Sequence, residues 1–117
     1  MTTITLSCGL IFLIGGLLFK MFPPKKINWI YGYRTSSSMR NIDTWRTANK
    51  YSANFMVIEG IILTIIGLIT FLIPNIGKIG IAIAIGLIIL SVIILAVSTE
   101  KHLNRLFDKE GKTKIEN

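Results

Sequence analysis

Three stretches of this chain are too long and too apolar to fold as anything but membrane-crossing helices. Residues 1–19 and 79–99 contain no charged side chain, and residues 51–77 contain only Glu59. A helix rising about 1.5 Å per residue needs about 20 apolar residues to cross a hydrocarbon core roughly 30 Å thick. The apolar residues come in blocks and do not alternate with polar ones at helix or strand period, which excludes a soluble fold of this size. Of the 117 residues 51% are hydrophobic and 16% charged, against about 25% charged in ordinary soluble domains. The expected fold is an all-α membrane protein of one domain, 1–117. Its spans are expected near 4–22, 52–73 and 79–99, with an ordered cytoplasmic loop at 23–51 and a cytoplasmic tail at 100–117.

The first run is read as a retained span. Met1-Thr2-Thr3-Ile4 lacks the basic start of a cleavable signal peptide, and the positive charges follow the apolar run. Cys8 is preceded by Thr5-Leu6-Ser7, which does not fit a lipoprotein cleavage site, and one cysteine cannot form an internal disulfide.

Charge sets the expected orientation. Seven Lys and Arg residues flank or occupy the first loop and five lie in the tail, so 12 of the 13 fall on one side of three spans and only Lys78 on the other. By the positive-inside rule that side is cytoplasmic and the amino terminus lies outside a bacterial cell membrane. The net charge of +7 therefore reads as topology and attraction to anionic lipid heads, and not as a nucleic-acid footprint.

Local signals place the element ends. Pro23-Pro24 stops helix one, since proline has no amide donor and restricts the residue before it. Gly32 and Thr35-Ser36-Ser37-Ser38 are turn chemistry, and Asn41 or Asp43 is positioned to cap helix two. No breaker follows Thr44 until Pro74. At 100° per residue, Trp45, Asn49, Ser52, Met56, Glu59 and Leu63 share one face, with Arg46, Lys50 and Ala53 turned away. The run 74–78 makes a short outer turn, and helix three is expected to end near Glu100. Ala53, Gly60 and Gly67, Gly15-Gly16, Gly80 with Ala84, and Ala82 with Gly86 are candidates for close helix packing. The tail, with Leu103, Leu106 and Phe107 on one side of a short helix, reads as an interfacial turn with a frayed end.

All five Trp and Tyr residues, Trp29, Tyr31, Tyr33, Trp45 and Tyr51, lie in the loop region. A simple aromatic belt occupies both interfaces, so this one-sided cluster points to a compact loop docked on the helix ends. Arg34 is expected to stack on one of these rings or to donate to helix-end carbonyls at residues 18–22 or 98–101, where a helix dipole favours a cation. Trp45 is expected within reach of Tyr31 and Tyr33, and Asn49 and Ser52 as the floor of a small polar pocket. Glu59 is the one ionisable group inside a span, a functional hypothesis by default, with Lys20 its candidate partner. His102 is the only histidine, and no Cys-His pair, metal-ligand cluster or glycine-rich phosphate loop is present. No enzyme, cofactor or metal is expected.

Pro24, Asn28, Tyr31-Gly32-Tyr33-Arg34-Thr35, Ser38, Asn41, Trp45, Ala48-Asn49 and Lys50 together resemble the signature of the SdpI family of small bacterial membrane proteins. The family's namesake gives immunity to a secreted sporulation-delaying toxin. The resemblance covers about 27 residues as sequence and the whole chain as architecture. It implies a non-catalytic immunity protein, with a membrane-active peptide toxin as candidate partner. For the namesake it also implies holding a transcriptional repressor at the membrane. The namesake is longer, with extra amino-terminal spans before this module, and many members carry His where this chain has Asn49. Two other functions stay open, a small homo-oligomeric transport or channel component and a docking platform for a cytoplasmic regulator. The candidate binding residues are Asn28, Tyr31, Gly32, Tyr33, Arg34, Thr35, Trp45, Asn49, Ser52 and Glu59.

Overall fold

The computed structural model describes residues 2–28 and 30–113. Three helices follow in order, α1 (Thr2–Met21), α2 (Ile42–Ile69) and α3 (Lys78–Leu106), with a 3-10 turn at Thr70–Leu72 ending α2. All three are long and apolar enough to cross a membrane. Among the described residues the only β pairing is an isolated bridge between Phe107 and Thr113.

Each boundary has a local cause. The last amide bonded into α1 is that of Phe22, donated to Leu18 O, because Pro23 and Pro24 have no N–H to continue the ladder. Asn41, and not Asp43, caps α2. Its side chain accepts from Thr44 N at 2.9 Å while the Thr44 hydroxyl accepts from Asn41 N at 3.1 Å, so two free amides are satisfied reciprocally. At the opposite end Thr70 donates back to Gly67 O at 2.6 Å, and its hydroxyl pairs with that of Thr2. The short turn before α3 is closed by Gly77 N donating to Asn75 Oδ1 at 2.9 Å.

α1 and α2 pack antiparallel through small residues. An added Cβ on Gly16 would lie 2.8 Å from Val57 N, and one on Gly9 2.5 Å from Thr64 N. One on Gly60 would overlap the backbone of Leu13. The seven-residue repeat of Ala53, Gly60 and Gly67 is thus an interface, and the two helices touch at backbone distance. Ala53, turned away from the polar stripe, is accordingly buried at 1% exposure, because α1 occupies that side. Gly9, which sequence reasoning passed over, belongs to the same seam, and of Gly15-Gly16 only Gly16 is buried.

α3 behaves differently. Gly80 and Ala84 are buried, but Ala82 and Gly86 are exposed, and nothing lies within 4 Å of a Cβ placed on Gly86. The helix also runs past Glu100 to Leu106. At 29 residues it is about 43 Å long and outreaches a bilayer core of roughly 30 Å. Leu103 and Phe107, expected in a separate tail helix, close a small apolar cluster with Ala48, flanked by Tyr33 and Leu106.

Candidate functional site

The long connection between α1 and α2 lies against the ends of all three helices, an arrangement built by a few side chains. Asn28 Oδ1 accepts from Ile30 N at 3.0 Å and Tyr31 N at 2.6 Å, while its amide donates to Lys26 O at 2.9 Å. This turn aims Tyr31 back at α1, where its hydroxyl donates to Phe22 O and its ring lies 5.0 Å from that of Phe19.

Gly32 follows with φ of 108°, and a Cβ there would meet Asn49 Oδ1 at 2.5 Å and Pro24 Cγ at 2.8 Å. Both the backbone conformation and the space exclude a side chain. The tight passage delivers Tyr33 N to Asn49 Oδ1 at 2.6 Å. The Asn49 amide in turn donates to Trp45 O at 2.9 Å. Trp45 is fully buried and donates through Nε1 to Pro24 O at 2.6 Å. Trp45, expected within reach of Tyr31 and Tyr33, is thus linked to the Tyr33 backbone through Asn49 and to the proline turn directly.

Tyr33 ties the connection to α3. Its hydroxyl donates to Glu100 Oε2 at 2.7 Å and lies 3.3 Å from Ala96 O, and Thr35 donates to the same carboxylate oxygen at 2.9 Å. Burial, together with the Glu100 carboxylate, pushes the Tyr33 hydroxyl well above the ordinary tyrosine range. Thr35 N donates to Ser38 Oγ at 2.8 Å, and Ser38 O accepts from the Thr44 hydroxyl at 3.0 Å. The turn is thereby fastened to the first turn of α2.

Arg34 does not play the expected part. It is exposed and makes no hydrogen bond or ring contact among the described residues. The backbone reversal at Gly32 turns Tyr33 and Thr35 inward and leaves Arg34, between them, outward. Of the helix-end carbonyls expected to meet the guanidinium, that of Phe22 accepts instead from the Tyr31 hydroxyl. Trp29 lies outside the described residues.

The remaining candidates divide. Ser52 is buried and donates to Asn49 O at 3.3 Å, so it packs into the bundle, and of the two only Asn49 lines the cavity beside the proline turn. Glu59 is 8% exposed, and its Oε1 has no partner. Lys20 is exposed and unpaired with it among the described residues. Since Leu13 lies beside Gly60, Lys20 stands six residues, about 9 Å, too far along the axis.

Sequence reasoning missed two parts of this end. Glu100 was taken only as a stop signal, although it is the first carboxylate after an uncharged run of 21 residues, 79–99. The tail makes its expected turn at Asp108, whose Oδ1 accepts from Glu110 N and Lys112 N at 2.9 and 2.8 Å. What was missed is that this turn returns to the cap of α2. Arg40 Nη1 donates to Asp108 O at 2.9 Å and Asn41 Nδ2 to Gly111 O at 2.8 Å. Gly111, with φ of 82°, sits so close that a Cβ would overlap the Asn41 amide. Residues 114–117 of the tail lie outside the described residues.

With this geometry in place, the comparisons with known proteins are decisive. The model of the SdpI/YfhL protein family matches residues 25–98. The chain belongs to the SdpI/YfhL family. The uncharacterized protein YfhL of Bacillus subtilis (strain 168) is 36% identical over 103 residues, 88% of each chain. No solved structure matches. The family match spans the connection, α2 and most of α3. It covers every residue of the resembling signature except Pro24, and Asn28, Tyr31, Gly32, Tyr33, Thr35, Ser38, Asn41, Trp45 and Asn49 of that signature meet in the contacts just described. Membership in the family and the three apolar helices make this a multi-pass membrane protein.

Proposed function

We propose that this SdpI/YfhL-family chain is a non-catalytic protein that protects a bacterial membrane against a membrane-active peptide toxin. The observation that carries the reading is that the family signature forms one hydrogen-bonded assembly across the helix ends, centred on Asn49 and Tyr33 and tied to Glu100, which lies just beyond the matched residues. Such an assembly fixes the helices relative to one another, which supports a positional role. On this reading the polar end is an ordered cytoplasmic cap, as the 12 inward Lys and Arg residues argue. The peptide would meet the protein from the outer or lipid side, where the isoleucine-rich surface of α3 is exposed.

The experiment is protection in cells. The chain is produced in a sensitive Gram-positive strain, and killing by a membrane-targeting bacteriocin is counted against an unrelated three-span protein. Survival should rise with the native chain and fall back with Trp45→Ala produced at equal level. Killing equal to the control for the native chain would discard the proposal.

A second reading has one observation in its favour, the buried Glu59 carboxylate with an unpartnered oxygen. Placed inside a span, such a group fits an ion or proton path lined by α2 in a homo-oligomer. Three helices enclose no pore, so this reading needs self-association. A strict monomer in mild detergent removes it.

A further inference from the structure

Between the last turn of α1, the proline turn and the first turns of α2 lies a cavity of about 350 Å³. Lys20, Lys25, Arg46 and Lys50 line it together with Phe19 and Asn54, and no carboxylate does. The four cations come from three separate segments and are all exposed. The one ion pair among the described residues, Lys112 with Glu110, is in the tail.

Topology alone does not explain this convergence. The positive-inside rule puts cations on one side of the bilayer but does not gather them around one cavity. A helix dipole accounts for Lys20 in the last turn of α1. It does not account for Arg46 and Lys50, like charges four residues apart on α2, a spacing that is destabilising without a counter-ion. Depth also constrains the occupant. Lys20 is the first charged residue after the apolar run of α1, so the cavity sits where headgroups meet acyl chains, and Phe19 gives it an apolar wall.

The cavity is held open by bonds internal to the protein. Asn49, although it lines the cavity, is engaged with Tyr33 N and Trp45 O, and Trp45 fixes Pro24. Asn54 has no such engagement among the described residues.

We propose that this cavity is a binding site for the phosphate of an anionic phospholipid. Arg46, with its two-pronged donor set, and the ammonium groups of Lys20, Lys25 and Lys50 surround the phosphodiester. Asn54 donates to the rest of the headgroup, and the acyl chains descend past Phe19 along α1. Inorganic phosphate shares the charge chemistry but leaves the apolar wall unused. The site stands independently of the protective role proposed above.

The test uses the full chain in mild detergent and native mass spectrometry, titrating phosphatidylglycerol and phosphatidylcholine of identical acyl chains. Phosphatidylglycerol should be retained preferentially. Arg46→Gln with Lys50→Gln should weaken its retention about thirtyfold, as expected for losing two cations beside an anionic headgroup. Lys101→Gln with Arg105→Gln removes the same charge elsewhere at this end and should change nothing. Lys20→Gln with Lys25→Gln repeats the first arm on different segments, so a misfolded α2 variant does not decide the result. Equal retention of phosphatidylcholine, equal weakening in the Lys101 and Arg105 variant, or displacement of the lipid by millimolar inorganic phosphate would overturn the proposal.

Discussion

α1 and α3 both pack on α2, but by different means. The α1 seam is continuous, with Gly9, Gly16, Gly60 and Gly67 bringing backbones into contact along its length. α3 is pinned near its two ends, by Gly80 and Ala84 beside the short turn and by Thr99, Glu100 and Leu103 at the polar end. Between them it presents exposed Ile85, Ile89 and Ile93. Lipid tails are as apolar as isoleucine, so burying such a side chain against another helix brings little hydrophobic gain, and close approach or polar bonding must supply the association. The contrast shows why small-residue spacing is a weak guide in a single helix. Gly60 and Gly86 look alike in sequence, yet only Gly60 has a backbone opposite it.

The largest effect expected from breaking this contrast is at the seam. Gly60→Leu drives a side chain into the backbone of Leu13 and should lower resistance to unfolding by sodium dodecyl sulfate by about 3 kcal/mol, read by circular dichroism. A variant as resistant as the native chain would mean that the seam is not where it is described.

A smaller loss is expected at the pin. Tyr33→Phe removes a hydroxyl bonded to a carboxylate and should cost about 1.5 kcal/mol in the same assay. Its pH dependence sharpens the point. Because burial and Glu100 raise the Tyr33 hydroxyl above its ordinary value, the unfolded chain ionises first. The stabilisation is complete below about pH 10 and is lost as the pH rises toward the folded value. The gap between native and variant should narrow from pH 8 to pH 11. A constant gap would argue against the bond to Glu100. The smallest effect belongs to Gly86→Ala, which meets open space and should stay within about 0.5 kcal/mol.

The spans were legible because a long block of apolar residues with at most one charge has one physical solution, and capping chemistry placed the start of α2 at Asn41 or Asp43, between which the bond to Thr44 N decides. The polar stripe of α2 was legible from helical periodicity, and Trp45, Asn49, Ser52 and Glu59 are all buried. What sequence could not supply are pairings between distant segments. Nothing near Glu100 says that its partners are Tyr33 and Thr35, 67 and 65 residues away. Arg34 misled because a guanidinium is the stronger donor in general, whereas the backbone direction set by Gly32 decided which neighbours faced inward.

The bond from Asn41 to Gly111 closes a loop of seventy residues and so gives the assembly a clock. During synthesis at about 5–20 residues per second, Gly111 emerges roughly 4–14 s after Asn41. Until then the α2 cap waits for its clasp, whereas every residue of the α1 seam has already been made by the time Thr70 emerges. The nascent protein therefore holds every residue of the α1–α2 hairpin before it holds the clasp. Its polar end is fastened last, by the segment that leaves the ribosome after all three helices.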